Sequence, residues 1–100
     1  MKEYLLDTNI CIFAMRDKHG INDRLESINP QQCYVTDVTA DTIDAFCQEK
    51  VRLQSLGTPI EDYDLFIGCA AKVAGLTMVT DNVQHLGRIE GLEIENWVER

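Results

Sequence analysis

The positions of apolar and polar residues along the chain predict short strands that alternate with helices. Tyr4-Leu5-Leu6 is a continuous apolar run, which is typical of a strand buried on both faces. Residues 10–15 then have the pattern of the first turns of a helix, for which Thr8 or Asn9 is a suitable N-cap. Apolar spacings of four and three predict a second short helix over residues 22–27.

The rest of the chain continues this alternation. We predict a strand over 33–39, an amphipathic helix over 41–56, a helix over 64–75 that is apolar nearly all round, a strand over 76–80, a helical turn over 83–86 and a last strand over 92–94. The order β-α-α-β-α-α-β-α-β indicates an α/β fold with a mostly parallel sheet. One hundred residues correspond to a single domain.

The charge and the cysteine content limit the classes of function that the sequence supports. A formal charge of −8 is unusual for a nucleic-acid binder and is compatible with a carboxylate-rich metal site, a basic protein partner or simple solubility. The four cysteines form no metal-binding motif, so we expect reduced thiols that serve as small core residues. With no signal region and no apolar stretch long enough to span a membrane, the sequence predicts a cytoplasmic protein that does not bind membranes.

Three acidic segments are the candidates for chemistry. Two predicted strands run into polar turns, 7–9 and 80–82, which would emerge at the same edge of a parallel sheet. A third acidic cluster, 61–64, opens the apolar helix, whose N-terminal end stabilises carboxylates. Each segment alone could be a cap or a turn, whereas together they predict one site.

Converging carboxylates repel one another unless a cation lies between them. Oxygen ligands without Cys or His suit Mg²⁺ or Mn²⁺. Such a site predicts hydrolysis of a phosphodiester. His19 and His85 are isolated in the sequence, and we interpret both as surface residues.

Three segments carry a resemblance to a known family. YLLDTNICIF (4–13), GTPIEDYDLFIGCAAKVAGLTMVTDN (57–82) and RIEGLEIENW (88–97) resemble the PIN-domain ribonuclease toxins of the VapC type, in matching order. The resemblance implies an α/β/α sandwich in which a quartet of acidic residues holds Mg²⁺ or Mn²⁺ and RNA is cleaved. It also implies a VapB-type antitoxin that lies across the active site, and a homodimer.

The resemblance also assigns residues. Asp7 matches the first acid of the quartet and Asp64 the third, while the fourth position falls on the VTDN turn. There Asn82 is the closest match and Asp81 is the adjacent carboxylate, so either could complete the site. We predict Asp7, Asp64 and Asp81 as catalytic and metal-binding residues, with support from Thr8, Asn9, Thr80 and Asn82.

One part of the family pattern is missing. Relatives carry a helix start of the form T-x-A-E-L and a further helical stretch where Thr39 here leads directly into the next helix. We therefore predict one PIN-like domain, residues 1–100, from which a segment of about 30 residues is absent near 39–41, together with the second acid. Asp41 could act as a shorter substitute for that acid.

Two functions remain open from the sequence. The first is an Mg²⁺-dependent endoribonuclease toxin of a type II toxin-antitoxin system, with an RNA substrate such as tRNA. The alternative is a catalytically defective PIN-like module that binds an antitoxin or nucleic acid without cleavage. A phosphoryl-transfer domain with Asp7 as covalent acceptor is a weaker third interpretation, because the sequence lacks a suitably placed Lys and a D-x-D motif after the first strand.

Overall fold

The predicted order of elements is found in the computed structural model, which describes residues 2–28, 33–34 and 39–100. Its elements are β1 (Tyr4–Leu6), α1 (Thr8–Met15), α2 (Ile21–Glu26), β2 (Cys33–Tyr34), α3 (Ala40–Ser55), α4 (Asp62–Ala74), β3 (Thr77–Val79), α5 (Val83–Leu86) and β4 (Ile94–Glu95). Of the strand predicted over 33–39, residues 35–38 lie outside the described residues. The last strand is displaced toward the C-terminus and overlaps the predicted 92–94 only at Ile94.

The four strands form one parallel sheet in the order β2-β1-β3-β4. Tyr4 pairs with Thr77 and Leu6 with Val79, so the two central strands run side by side without offset. Their carboxyl ends therefore meet at one edge, where the residues after Leu6 and after Val79 become neighbours.

Alternate residues of the central strands face two separate helical layers. Leu5 and Met78 pack into a core with α3, α4 and α5, whereas Tyr4 and Val79 pack with α1, α2 and Trp97. This division follows from the two-residue period of a strand and explains why the strands are apolar without interruption. The predicted α/β/α sandwich is confirmed.

Helix α4 packs closely because its buried face is built from small residues. A Cβ atom at Gly68 would meet the terminal methyl groups of Ile89 and Leu86, so a larger residue here would force those side chains to shift. The helix ends at Gly75, whose left-handed backbone (φ 72°) is the usual helix stop. Close packing fixes the position of the N-terminal end of α4, where Asp64 lies.

The cysteine prediction holds only in part. Cys69 lies on the buried face of α4, and burial raises the pKa of its thiol to about 11. Cys11 and Cys47 are exposed on α1 and α3, so their interpretation as core residues was wrong. No helix within the described ranges is long and apolar enough to cross a membrane.

A charged pair inside the fold holds α3 against the segment before β4. Arg52 donates two hydrogen bonds to the buried Glu49 carboxylate, at 3.0 and 2.7 Å, and a third to the carbonyl oxygen of Arg88 at 2.7 Å. The backbone N–H of Glu90 donates to the same carboxylate at 3.3 Å. Glu49 is thus satisfied by Arg52, three residues further along the same helix, and by the backbone of Glu90 from the segment before β4.

Replacing Glu49 by Ala should lower the free energy of unfolding by about 1–3 kcal/mol, because Arg52 and the Glu90 N–H lose a charged acceptor. Hydrogen bonding from Arg52 lowers the pKa of Glu49. The stabilisation is therefore complete above the unfolded pKa of about 4.3 and is lost as the pH falls through the lower folded value. Urea unfolding followed by Trp97 fluorescence, with exposed Val51→Ala as control, measures this. Equal stability of both variants at neutral pH would contradict it.

Candidate active site

Asp7 lies where β1 ends and α1 begins. Its backbone N–H donates to the Val79 carbonyl at 2.9 Å, which continues the pairing of the two central strands by one residue. Its extended backbone (φ −62°, ψ 154°) makes it the N-cap residue of α1, and its carbonyl accepts from Cys11 at 3.1 Å. The residue is only 6% exposed, so its carboxylate is held inside the edge of the sheet.

Thr80 supplies the hydrogen bond that this carboxylate needs. Its hydroxyl donates to Oδ2 of Asp7 at 2.7 Å and accepts from the backbone N–H of Asn82 at 3.0 Å. Thr80 itself is fully buried. One hydroxyl therefore connects Asp7 to the turn that follows β3.

Asp64 approaches from the first turn of α4, and Nδ2 of Asn82 donates to its Oδ2 at 3.3 Å. Burial raises the pKa of the Asp64 carboxyl, and the nearby charges of Asp7 and Glu61 raise it further. The Asn82 hydrogen bond and the charge of His85 oppose this rise. Asp7 and Asp64 are thus close enough to repel each other in a partly desolvated cleft.

Asp81 faces a different set of partners. Arg100 donates two hydrogen bonds to its carboxylate, one of them at 2.9 Å, and Asn96 donates another at 3.2 Å. The Arg100 hydrogen bond is the main reason that the pKa of Asp81 is lowered. Of the two residues that the sequence offered for the fourth position, the structure brings Asn82 to Asp64 and engages Asp81 with Arg100.

The residues predicted to support the site also differ in whether they contact its carboxylates. Thr80 binds Asp7, whereas the hydroxyl of Thr8 shares a 3.1 Å hydrogen bond with the hydroxyl of Tyr63. Asn9 is exposed in the first turn of α1.

Two residues near the site were missed by the sequence analysis. Tyr63 lies inside the acidic 61–64 cluster and could have been noticed as its one aromatic residue. His85 is exposed as predicted, yet its charge partly opposes the rise in the pKa of Asp64.

The donor set fits a hard divalent cation. Mg²⁺ is commonly held by one or two carboxylates while it keeps several waters, and Asp7 and Asp64 supply two. Among the residues that the structure describes, no group of three or more His, Cys, Asp and Glu side chains is arranged to hold a metal. Asp41, the possible substitute for the second acid, is exposed in the first turn of α3.

No family model matches the chain, but individual proteins do. It is 27% identical to the tRNA(fMet)-specific endonuclease VapC of Salmonella typhimurium over 132 aligned positions, which span 97% of this chain and 99% of that protein. The enzyme of the same name from Shigella flexneri is 24% identical over 131 positions, again spanning 97% and 99%.

Solved structures show the same fold. The DNA-bound VapBC of Salmonella typhimurium superposes with a TM-score of 0.81 at 24% identity, covering 97% of this chain and 99% of that one. VapBC-1 of nontypeable Haemophilus influenzae gives 0.82 at 21% identity, covering 96% and 98%.

Thr80→Val should lower the free energy of unfolding by about 1–3 kcal/mol, because the buried Asp7 carboxylate loses its hydroxyl donor while the shape is kept. Thr80→Ser retains the hydroxyl and should recover most of that loss. Urea unfolding followed by Trp97 fluorescence measures both variants. If Val and Ser at this position are equally stable, the hydroxyl does not support Asp7 in the way that the geometry indicates.

Proposed function

We propose that the chain is a VapC-type PIN-domain endoribonuclease, which its alignment with two VapC endonucleases over 97% of its length supports, and that it hydrolyses RNA phosphodiester bonds at the cleft between Asp7 and Asp64. The observation that supports this most is that two residues of one turn, Thr80 and Asn82, hydrogen-bond to these two carboxylates, while burial and then the charge of Asp7 raise the pKa of Asp64. A protein gains little stability from such a pair, so a binding role is the better explanation for it.

Asp7, Asp64 and the amide of Asn82 would hold Mg²⁺ or Mn²⁺. When bound, the cation would offset the charge that develops on the phosphate and activate the attacking water. The chain's own residues keep the ligands in place: Thr80 fixes the orientation of the Asp7 carboxylate, and Asn82 holds Asp64. Both supports come from the single turn after β3.

The substrate and partner that we propose follow from the relatives. Those from Salmonella typhimurium and Shigella flexneri are named for cleavage of tRNA(fMet), so a tRNA in the cytoplasm is the substrate that we propose. Three of the structural neighbours are VapBC complexes, which supports a VapB-type antitoxin as partner and a toxin-antitoxin role. We also propose a homodimer.

The length of the alignment supports the proposal that an internal segment is lacking. It extends over 132 positions, whereas this chain has 100 residues. We place the difference near residues 39–41, where the acid-bearing helix start of the family would be expected. That placement favours a second candidate function, a module that binds RNA or antitoxin with little cleavage, because only two carboxylates meet in the described site.

Incubation of purified protein with a tRNA(fMet) transcript separates the two functions. We expect cleavage with Mg²⁺ or Mn²⁺, none in EDTA, and a loss of at least about 100-fold in Asp7→Asn and Asp64→Asn, because each variant removes a charged ligand. Cleavage that persists in these variants or in EDTA would refute the proposed site. Binding of the transcript without cleavage under all conditions would favour the second candidate.

A second experiment distinguishes the adjacent residues of the turn. Asn82→Ala should slow cleavage by about 10- to 100-fold, because Asp64 loses the residue that orients it. Asp81→Asn should stay within about threefold of the wild-type rate, since its neutral amide can still accept from Arg100 on the other side of the turn. Initial rates at saturating metal measure both. A larger loss in Asp81→Asn than in Asn82→Ala would assign the fourth position to Asp81.

A further inference from the structure

Tyr63 is an exposed aromatic residue between the two carboxylate-bearing segments. It lies in the first turn of α4, directly before Asp64, and 57% of its surface is accessible. Its hydroxyl shares the 3.1 Å hydrogen bond with Thr8, the residue directly after Asp7. The side chain thus reaches from one ligand-bearing segment to the other.

Packing in the hydrophobic core does not explain the position of the Tyr63 ring. Within the described part of the chain, aromatic contacts join Tyr4 to Trp97, Phe13 to His19 and Phe46 to Phe66, and none includes Tyr63. A hydroxyl that is bonded while the ring stays accessible fixes the direction of the side chain, which reduces the entropy lost when something packs against it.

The charge of the protein makes an uncharged contact with RNA valuable. Most nucleic-acid binders gain affinity by neutralising phosphates with Lys and Arg, yet this chain carries a net charge of −8. Five of its nine basic residues already pair with carboxylates: Lys2, Arg24, Lys50, Arg52 and Arg100. Stacking of a base on an aromatic ring needs no cation and tolerates any base.

We propose that the Tyr63 ring is the stacking surface for a nucleobase next to the scissile phosphate, with Thr8 holding the ring in place. This inference rests on the proposed function, because it takes RNA to be the substrate of the Asp7–Asp64 cleft. It assigns to Tyr63 the binding of a base and no part in the chemical step. Removal of the ring should therefore raise KM and leave kcat unchanged.

The test compares the binding of RNA that contains the nucleobase proposed to stack on Tyr63 with the binding of RNA that lacks it. A fluorescent single-stranded RNA of about 12 nucleotides, long enough to cover one binding groove, carries an abasic residue at each position in turn. Its affinity for the Asp7→Asn protein, which should not cleave it, is followed by anisotropy with Mg²⁺ present. One abasic position should weaken binding by about 5- to 150-fold, the equivalent of one lost stacking contact.

Substitutions at position 63 then link that position of the RNA to the ring. Adding Tyr63→Leu should weaken binding of the intact RNA to the abasic level and remove the difference between them. Tyr63→Phe keeps the ring without the Thr8 bond and should retain most of the difference. Val51→Ala, at an equally exposed apolar residue on α3, is the matched control and should change nothing.

Several outcomes would overturn the inference. In the first, adding Tyr63→Leu leaves the affinity for intact RNA unchanged. In the second, the Tyr63→Leu protein still binds the abasic RNA more weakly than the intact RNA. In the third, the Asp7→Asn protein binds neither the intact nor the abasic RNA. A separate comparison of kcat and KM in proteins that retain Asp7 tests the role in catalysis, where a fall in kcat alone for Tyr63→Leu would also count against stacking. Absence of cleavage by the wild type would refute the proposed function, whereas the anisotropy result would still decide the role of Tyr63.

Discussion

The structure depends most on one unfavourable approach, that of the Asp7 and Asp64 carboxylates at the carboxyl edge of the sheet. Both are partly withdrawn from water, and burial, followed by the charge of Asp7, raises the pKa of Asp64. Nothing in hydrophobic packing favours this arrangement. It persists because Asp7 continues a buried strand and Asp64 opens a closely packed helix, so rigid elements determine both positions.

The turn after β3 stabilises the two neighbouring carboxylates by hydrogen bonds. Thr80 turns inward and donates to Asp7, Asn82 reaches Asp64, and Asp81 between them turns to Arg100 and Asn96. Three consecutive polar residues thus have three separate tasks, two within the cleft and one that fastens the turn to the C-terminal segment. Because Thr80 is bonded to Asp7 and to the backbone of Asn82, the supports of the two carboxylates are mechanically connected.

The order of the elements, the parallel sheet and the meeting of 7–9 with 80–82 could be predicted, because long apolar runs and their polar ends reflect burial directly. The sequence could not show whether Asp81 or Asn82 faces the cleft, because this depends on local backbone angles and on Arg100, a partner distant in sequence. The Thr8–Tyr63 bond was missed for the same reason. Cys11 and Cys47 were misassigned because residue type alone does not show which face of a helix is covered.

Calorimetric titration with Mn²⁺ tests most directly whether the paired carboxylates form a cation site. We predict one ion per chain in the wild type, binding at least about 10-fold weaker in Asp7→Asn and in Asp64→Asn, and wild-type affinity in Asp81→Asn. Circular dichroism of each variant would establish that the fold is retained. Unchanged affinity in both Asp7→Asn and Asp64→Asn, or a loss confined to Asp81→Asn, would contradict the account.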